Sequence, residues 1–165
     1  SYNAITDLDD LTTTNSDQLT ISVTTEAVTA AALNTVNGAT GLNVTATGVT
    51  GITGTAAEFA TLMTAEADTG DGINLDTDFT VNVTNGTLAT TAAQLAAIDA
   101  KTSKNIDASL VAAISGTVSQ FTTIAAAQGA GDNQYTLKSD AALTVTDTGA
   151  IDSGDLTTMA RGTQI

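Results

Sequence analysis

Two hydrophobic periods alternate along this chain. One is helical. T-A-A-E-F-A-T-L at 55–62 sets Phe59 and Leu62 on one face, and the phrase returns as T-A-A-Q-L-A-A-I at 91–98 and T-V-S-Q-F-T-T-I at 117–124. The other period is two. L-T-I-S-V at 19–23, F-T-V-N-V at 79–83 and L-T-V-T at 143–146 alternate apolar residues with Thr, Ser or Asn. L-N-V-T-A at 42–46 and N-I-D-A-S-L-V at 105–111 follow the same rule. Such alternation predicts strands with one face in a core. Asn37-Gly38, Asn85-Gly86 and Thr148-Gly149 mark turns between the pieces.

Each helical phrase carries its own start signal. Thr29, Thr55, Thr91, Thr117 and Asp152 stand four positions before the large apolar residues Leu33, Phe59, Leu95, Phe121 and Leu156. From there a side-chain oxygen can accept from the unpaired N–H groups of the first turn. Glu58, Gln94 and Gln120, three residues after their caps, complete capping boxes, and Asp155 offers an acidic variant. The five apolar anchors are separated by 26, 36, 26 and 35 residues, so the period is about 62 residues made of two coils of about 31. Thr29 and Thr91, Val36 and Ile98, Val44 and Ile106, Ile52 and Ile114, and Leu62 and Ile124 match at that spacing.

Strand, turn and helix in regular succession predict an α/β repeat solenoid: stacked coils of parallel β-strands with one short helix per coil. Residues 1–165 then form a single repeat domain, expected to be a segment of a longer array. A compact α/β domain is the alternative. It fits less well, because the strands of a doubly wound sheet would be near-continuous apolar runs.

Composition narrows the function classes. Aromatic residues are only 3% of the chain, and Ala supplies much of the apolar content, so each element has a thin hydrophobic face that needs stacked neighbours. The formal net charge is −14, with Lys101, Lys104, Lys138 and Arg161 the only cations. No basic patch can release counterions, which argues against nucleic acid, and attraction to anionic lipid is excluded on the same ground. No apolar run reaches the roughly 18 residues of a membrane span, and the missing initiator Met suggests a processed protein or a fragment. With no His and no Cys, a histidine relay or a thiol nucleophile is impossible. Carboxylate pairs could act on glycosidic bonds, but few aromatic or cationic residues exist to line a sugar cleft. The chain reads as no enzyme, a polysaccharide-active solenoid being the weakest of the readings.

The acidic turns are the one place where local chemistry is arguable. D-T-G-D-G-I-N-L-D-T-D at 68–78 supplies Asp68, Asp71, Asp76 and Asp78 around two glycines, a candidate calcium site of hard oxygen ligands. Asp7, Asp9 and Asp10 form a second cluster, and Asp147, Asp152 and Asp155 a third. The spacing matches neither an EF-hand loop nor the calcium-binding nonapeptide, and Asp favours solvated turns in any case. A strict Thr ladder able to order water is broken by Ser, Asn and Asp. The sequons at Asn43, Asn82 and Asn85 are what chance yields in a chain rich in Asn and Thr. Lys101 and Lys104 follow a helix end and complement its dipole.

I-S-G-T-V-S-Q-F-T-T-I-A-A, T-T-A-A-Q-L-A-A-I-D-A-K-T-S and A-L-T-V-T-D-T-G together resemble the Thr/Ala/Gly-rich tandem-repeat arrays of very large cell-surface or secreted proteins of bacteria, marine cyanobacteria especially. The resemblance implies an extracellular structural or adhesive role, as in surface layers (S-layers) or filaments. The expected partners are further copies of the chain joined through coil ends or edges, and polysaccharide or other surface proteins. Calcium is the one cofactor expectation. A viral fibre or capsid-decoration protein that binds a host glycan or a capsid is the alternative.

Overall fold

A threonine stands at the start of each of the four longer helices. In the computed structural model of the chain, which describes residues 19–84, 90–128 and 135–157, Thr29 caps α1 (Ala30–Asn37), Thr55 caps α2 (Ala56–Ala67) and Thr91 caps α3 (Ala92–Asp99). The expected capping boxes form at Thr55–Glu58 and Thr91–Gln94. At α4 (Val118–Gln128) the Thr117 Oγ accepts from the Gln120 N–H at 3.3 Å and the Thr117 N–H donates to Gln120 Oε1 at 2.9 Å. The anchors Leu33, Phe59, Leu95 and Phe121 are fully buried. Helix α1 packs on α2, α2 on α3 and α3 on α4, making one wall of the molecule.

More than one strand separates successive helices, where the sequence predicted one. β1 (Ala27–Thr29) precedes α1, and β2 (Val44–Ala46) and β3 (Gly51–Gly54) follow it. After α2 come β4 (Ile73–Leu75), β5 (Thr80–Val83) and β6 (Thr90–Thr91). After α3 come β7 (Ile106–Ala108) and β8 (Ala113–Gly116), and after α4 come β9 (Tyr135–Leu137) and β10 (Ala142–Val145). The unpredicted strands are two to four residues long, too short for a period of two to declare itself. Residues 19–23, predicted as a strand, make a single bridge from Ser22 to Thr45.

The fold is α/β with parallel pairing throughout the described strands. One sheet runs β1-β3-β5-β7-β9, a second β10-β8-β6 and a third β2-β4, and none closes into a barrel. Inward residues such as Val44, Ile52, Val83, Ile106 and Ile114 join the helix anchors in one hydrophobic cluster. Outward positions such as Thr45, Thr53, Asn74, Thr80 and Asn82 face solvent.

The period is as visible in space as in sequence. Elements α1 and α3 begin at residues 30 and 92, β2 and β7 at 44 and 106, β3 and β8 at 51 and 113, and β5 and β10 at 80 and 142, always 62 apart. Side-chain bonds repeat as well. The buried Thr40 hydroxyl donates to the Leu19 carbonyl and accepts from the Leu42 N–H at 3.1 Å. Thr102 repeats both contacts with the Phe79 carbonyl and the Lys104 N–H, the latter also at 3.1 Å. β5 therefore has two parts to play. It pairs with β3 as the last strand of one unit and with β7 as the first strand of the next.

One anchor departs from expectation. Leu156, placed like Leu33 and Leu95, is 48% exposed. Those two are covered by the strands and helix that come after them, and no such following element is present among the described residues for Leu156.

Candidate functional site

The acidic stretch at 68–78 folds as a tight return from α2 into β4. Asp68 ends the helix, and its Oδ1 accepts from the Gly70 N–H at 2.8 Å. The chain then doubles back so closely that a Cβ on Gly72 would lie 2.1 Å from the Ala65 carbonyl oxygen. Asn43, from the neighbouring coil, holds this return. Its Oδ1 accepts from the Gly72 N–H at 2.8 Å, and its Nδ2 donates to the Thr69 carbonyl at 3.4 Å. The Asn43 amide, a glycan acceptor by sequon alone, thus has a structural task here.

β4 then separates the four predicted calcium ligands. Asp68 and Asp71 stay on the helix side, beside an open hollow of about 390 Å³ that also touches Asn37, Thr61 and Thr64. Asp76 and Asp78 emerge beyond the buried Ile73 and Leu75. Five residues of extended chain span roughly 16 Å, far beyond a shared coordination sphere. Asp78 instead pairs with Lys104 at 2.6 Å. Within the hollow, the Asn37 amide, oriented to donate, meets the carbonyls of Gly72 at 2.9 Å and Asp71 at 3.2 Å. Among the described residues, no three His, Cys, Asp or Glu side chains gather in a group that could hold a metal ion.

The other acidic clusters have different duties. Asp7, Asp9 and Asp10 lie outside the described residues. The Asp147 Oδ2 accepts from the Val118 N–H at 2.8 Å, so a residue beyond β10 satisfies the first turn of α4. The Asp152 Oδ1 accepts from the Gly154 N–H at 2.6 Å, and Asp155 is exposed. Asp147 and Asp152 thus accept at helix starts, Asp152 at the helical turn 153–157, where the positive end of the helix dipole favours them.

Two lysines read as helix-end residues act between coils. Lys101 pairs with Glu66 on α2, and Lys104 with Asp78 before β5, so both tie the second unit to the first. Sequence reasoning also missed Tyr135. Its hydroxyl donates to the Leu95 carbonyl at 3.2 Å in the core. Burial, with the Asp99 carboxylate adding to it, pushes its phenol well above the usual range. The available signal was its spacing: Tyr135 stands 62 residues after Ile73, a buried strand position.

The helix wall carries a shallow groove of about 580 Å³ between α2 and α3, lined by Ala60, Met63, Ala67, Ala93, Ala97 and Lys101. It is apolar and offers no convergent set of polar groups of the kind that fixes a small ligand. No helix among the described residues is long and apolar enough to cross a membrane. Comparison of the chain with protein-family models, with curated proteins and with solved structures gave no match.

Proposed function

We propose that this chain is a structural repeat module of an extracellular surface, adhesive or filament-forming protein, folded as an α/β solenoid and assembling with further copies of itself. One observation carries the reading: consecutive units of 62 residues bury the same positions and share β5 at their junction. A protein built this way grows in one direction by stacking, each unit contacting its neighbours only. The hollow beside Asp68 and Asp71 and the groove between α2 and α3 are both open to solvent. The acidic turns outside the stack keep a strongly charged surface in water. Placement on a cell surface or in a surface layer follows from the resemblance to bacterial repeat arrays.

The test is to lengthen the chain by one unit. A duplicate of residues 30–91 inserted after Thr91 preserves every junction. Small-angle scattering should show a longer particle of unchanged cross-section, and the melting temperature should rise. A particle that thickens instead, or an insert that stays unfolded, would refute the solenoid.

A further inference from the structure

We infer that the hollow beside Asp68 and Asp71 binds an organic cation that carries N–H donors, an ammonium or guanidinium head group. The site lies within one corner of the first unit and does not depend on the array. Two helices end there. Asn37 and Gly38 come from the end of α1, and Thr64, Ala65 and Asp68 from the end of α2. The last carbonyls of a helix lack partners within it, and that end of its dipole is negative. Neither helix has a basic residue in its last turn to offset this.

The side-chain donors that line the hollow are already committed within the fold. The Thr61 hydroxyl donates to the Ala57 carbonyl at 3.3 Å, and the Thr64 hydroxyl to the Ala60 carbonyl at 2.9 Å. The Asn37 amide donates to the Gly72 and Asp71 carbonyls at 2.9 Å and 3.2 Å. What these side chains leave for a ligand is oxygen with free lone pairs. The two carboxylates add more, since the Asp68 Oδ1 takes only the Gly70 N–H at 2.8 Å and a carboxylate has lone pairs for several donors. A group that meets only acceptors beside negative charge has to bring both donors and positive charge.

That requirement selects an organic cation over a metal ion. A calcium ion wants about six to eight oxygen ligands, and no three acidic side chains gather among the described residues. An ammonium or guanidinium group is served by one acceptor for each N–H. The described lysines are engaged elsewhere: Lys101 with Glu66, Lys104 with Asp78 and Lys138 with Asp140. Nor does the repeat call for these acceptors. At the matching positions 62 residues on, Thr64, Asp68 and Asp71 give way to Ala126, Ala130 and Asn133.

The donor requirement sets the experiment. The full chain, isotope-labelled, is titrated at constant ionic strength with methylguanidinium, butylammonium or tetramethylammonium chloride while the Gly70 and Gly72 amide signals are followed. We expect saturable shifts with the first two and none with tetramethylammonium, which has the charge without the donors. Asp71→Asn should weaken binding about three- to five-fold, the range of an exposed ion pair. Asp76→Asn makes the same change of charge on the far side of β4 and should leave binding unaltered. A blocked tripeptide with a central arginine separates the sources of the head group. Binding about ten-fold tighter than methylguanidinium, a gain of 1.4 kcal/mol, assigns it to a partner protein, and equal binding assigns it to a free cation. Tetramethylammonium binding as well as methylguanidinium, equal weakening by the two substitutions, or no saturable shift with either donor would overturn the site.

Discussion

Gly54 meets Ala30 so closely that a methyl group on the glycine would lie 2.8 Å from the Ala30 Cβ, and Gly116 stands in the same relation to Ala92, again at 2.8 Å. In both places the end of a strand abuts the first residue of the preceding helix. The glycine leaves room for that approach. A second obstacle reinforces it, since the added Cβ would lie 3.1 Å from Glu58 Oε2 at Gly54 and 2.9 Å from Gln120 Oε1 at Gly116. Those are the capping-box side chains, so packing and capping compete for one space.

Gly54→Ala and Gly116→Ala should each destabilise the fold by about 1–3 kcal/mol through overpacking. Urea titration of each variant measures this. Similar losses are expected at the two sites because the contacts repeat.

Thr102→Val keeps the shape and removes the hydroxyl that joins the Phe79 carbonyl to the Lys104 N–H. The Phe79 carbonyl and the Lys104 N–H would each lose that hydrogen bond, a cost of about 1–3 kcal/mol. Thr102→Ser restores the hydroxyl and should recover most of the loss in the same chemical denaturation curve.

Phe121→Ala and Leu156→Ala form a contrast. Phe121 is fully buried and its truncation should cost about 3–5 kcal/mol. Leu156, 48% exposed, should cost under about 0.5 kcal/mol in a dilute monomer. Equal losses in a thermal melt would show that the two anchors are packed alike.

Tyr135 gives the fold an alkaline limit. The folded state favours the neutral phenol, because burial raises its pKa above the unfolded value near 10. Its contribution is therefore complete below about pH 10 and declines as pH rises further, by at most about 1.4 kcal/mol per pH unit. Stability measured from pH 8 to 11 should fall less steeply in Tyr135→Phe than in the parent protein.

Calcium should not act on melting through residues 68–78. A site occupied at a hundredfold its Kd would add about 2.7 kcal/mol, which is several degrees in a domain of this size. Asp68 and Asp71 are divided from Asp76 and Asp78 by β4, and Asp78 is engaged with Lys104. Asp76→Asn should therefore leave unchanged any difference between melting curves in millimolar calcium and in chelator.

The sequence makes the period, the helix starts and the parallel α/β class legible because each is written in strongly typed residues. A threonine cap with Glu or Gln three positions on leaves little choice of helix start, and Phe59 and Phe121 can only point inward. Strands such as Ile73–Leu75 are too short to stand out, and that brevity hid the division of the acidic stretch. Its four aspartates look contiguous until Ile73 and Leu75 are known to be buried between them. The tasks of Lys101, Lys104 and Asp147 were hidden for another reason. Their partners Glu66, Asp78 and Val118 lie some 26 to 35 residues away in the chain and meet them only through stacking.

The double pairing of β5 bears on how such a chain can change length over generations. The strand that closes one unit also opens the next, so in the array proposed above every junction would present the same ladder to the unit that follows. Unequal recombination between matching positions 62 codons apart deletes or adds a whole unit while restoring the junction it cuts. A slip of a single codon would instead turn each inward Val or Ile of the next strand towards water. Genes for an array of the proposed kind should therefore vary in length by whole units, with intermediate lengths removed by misfolding.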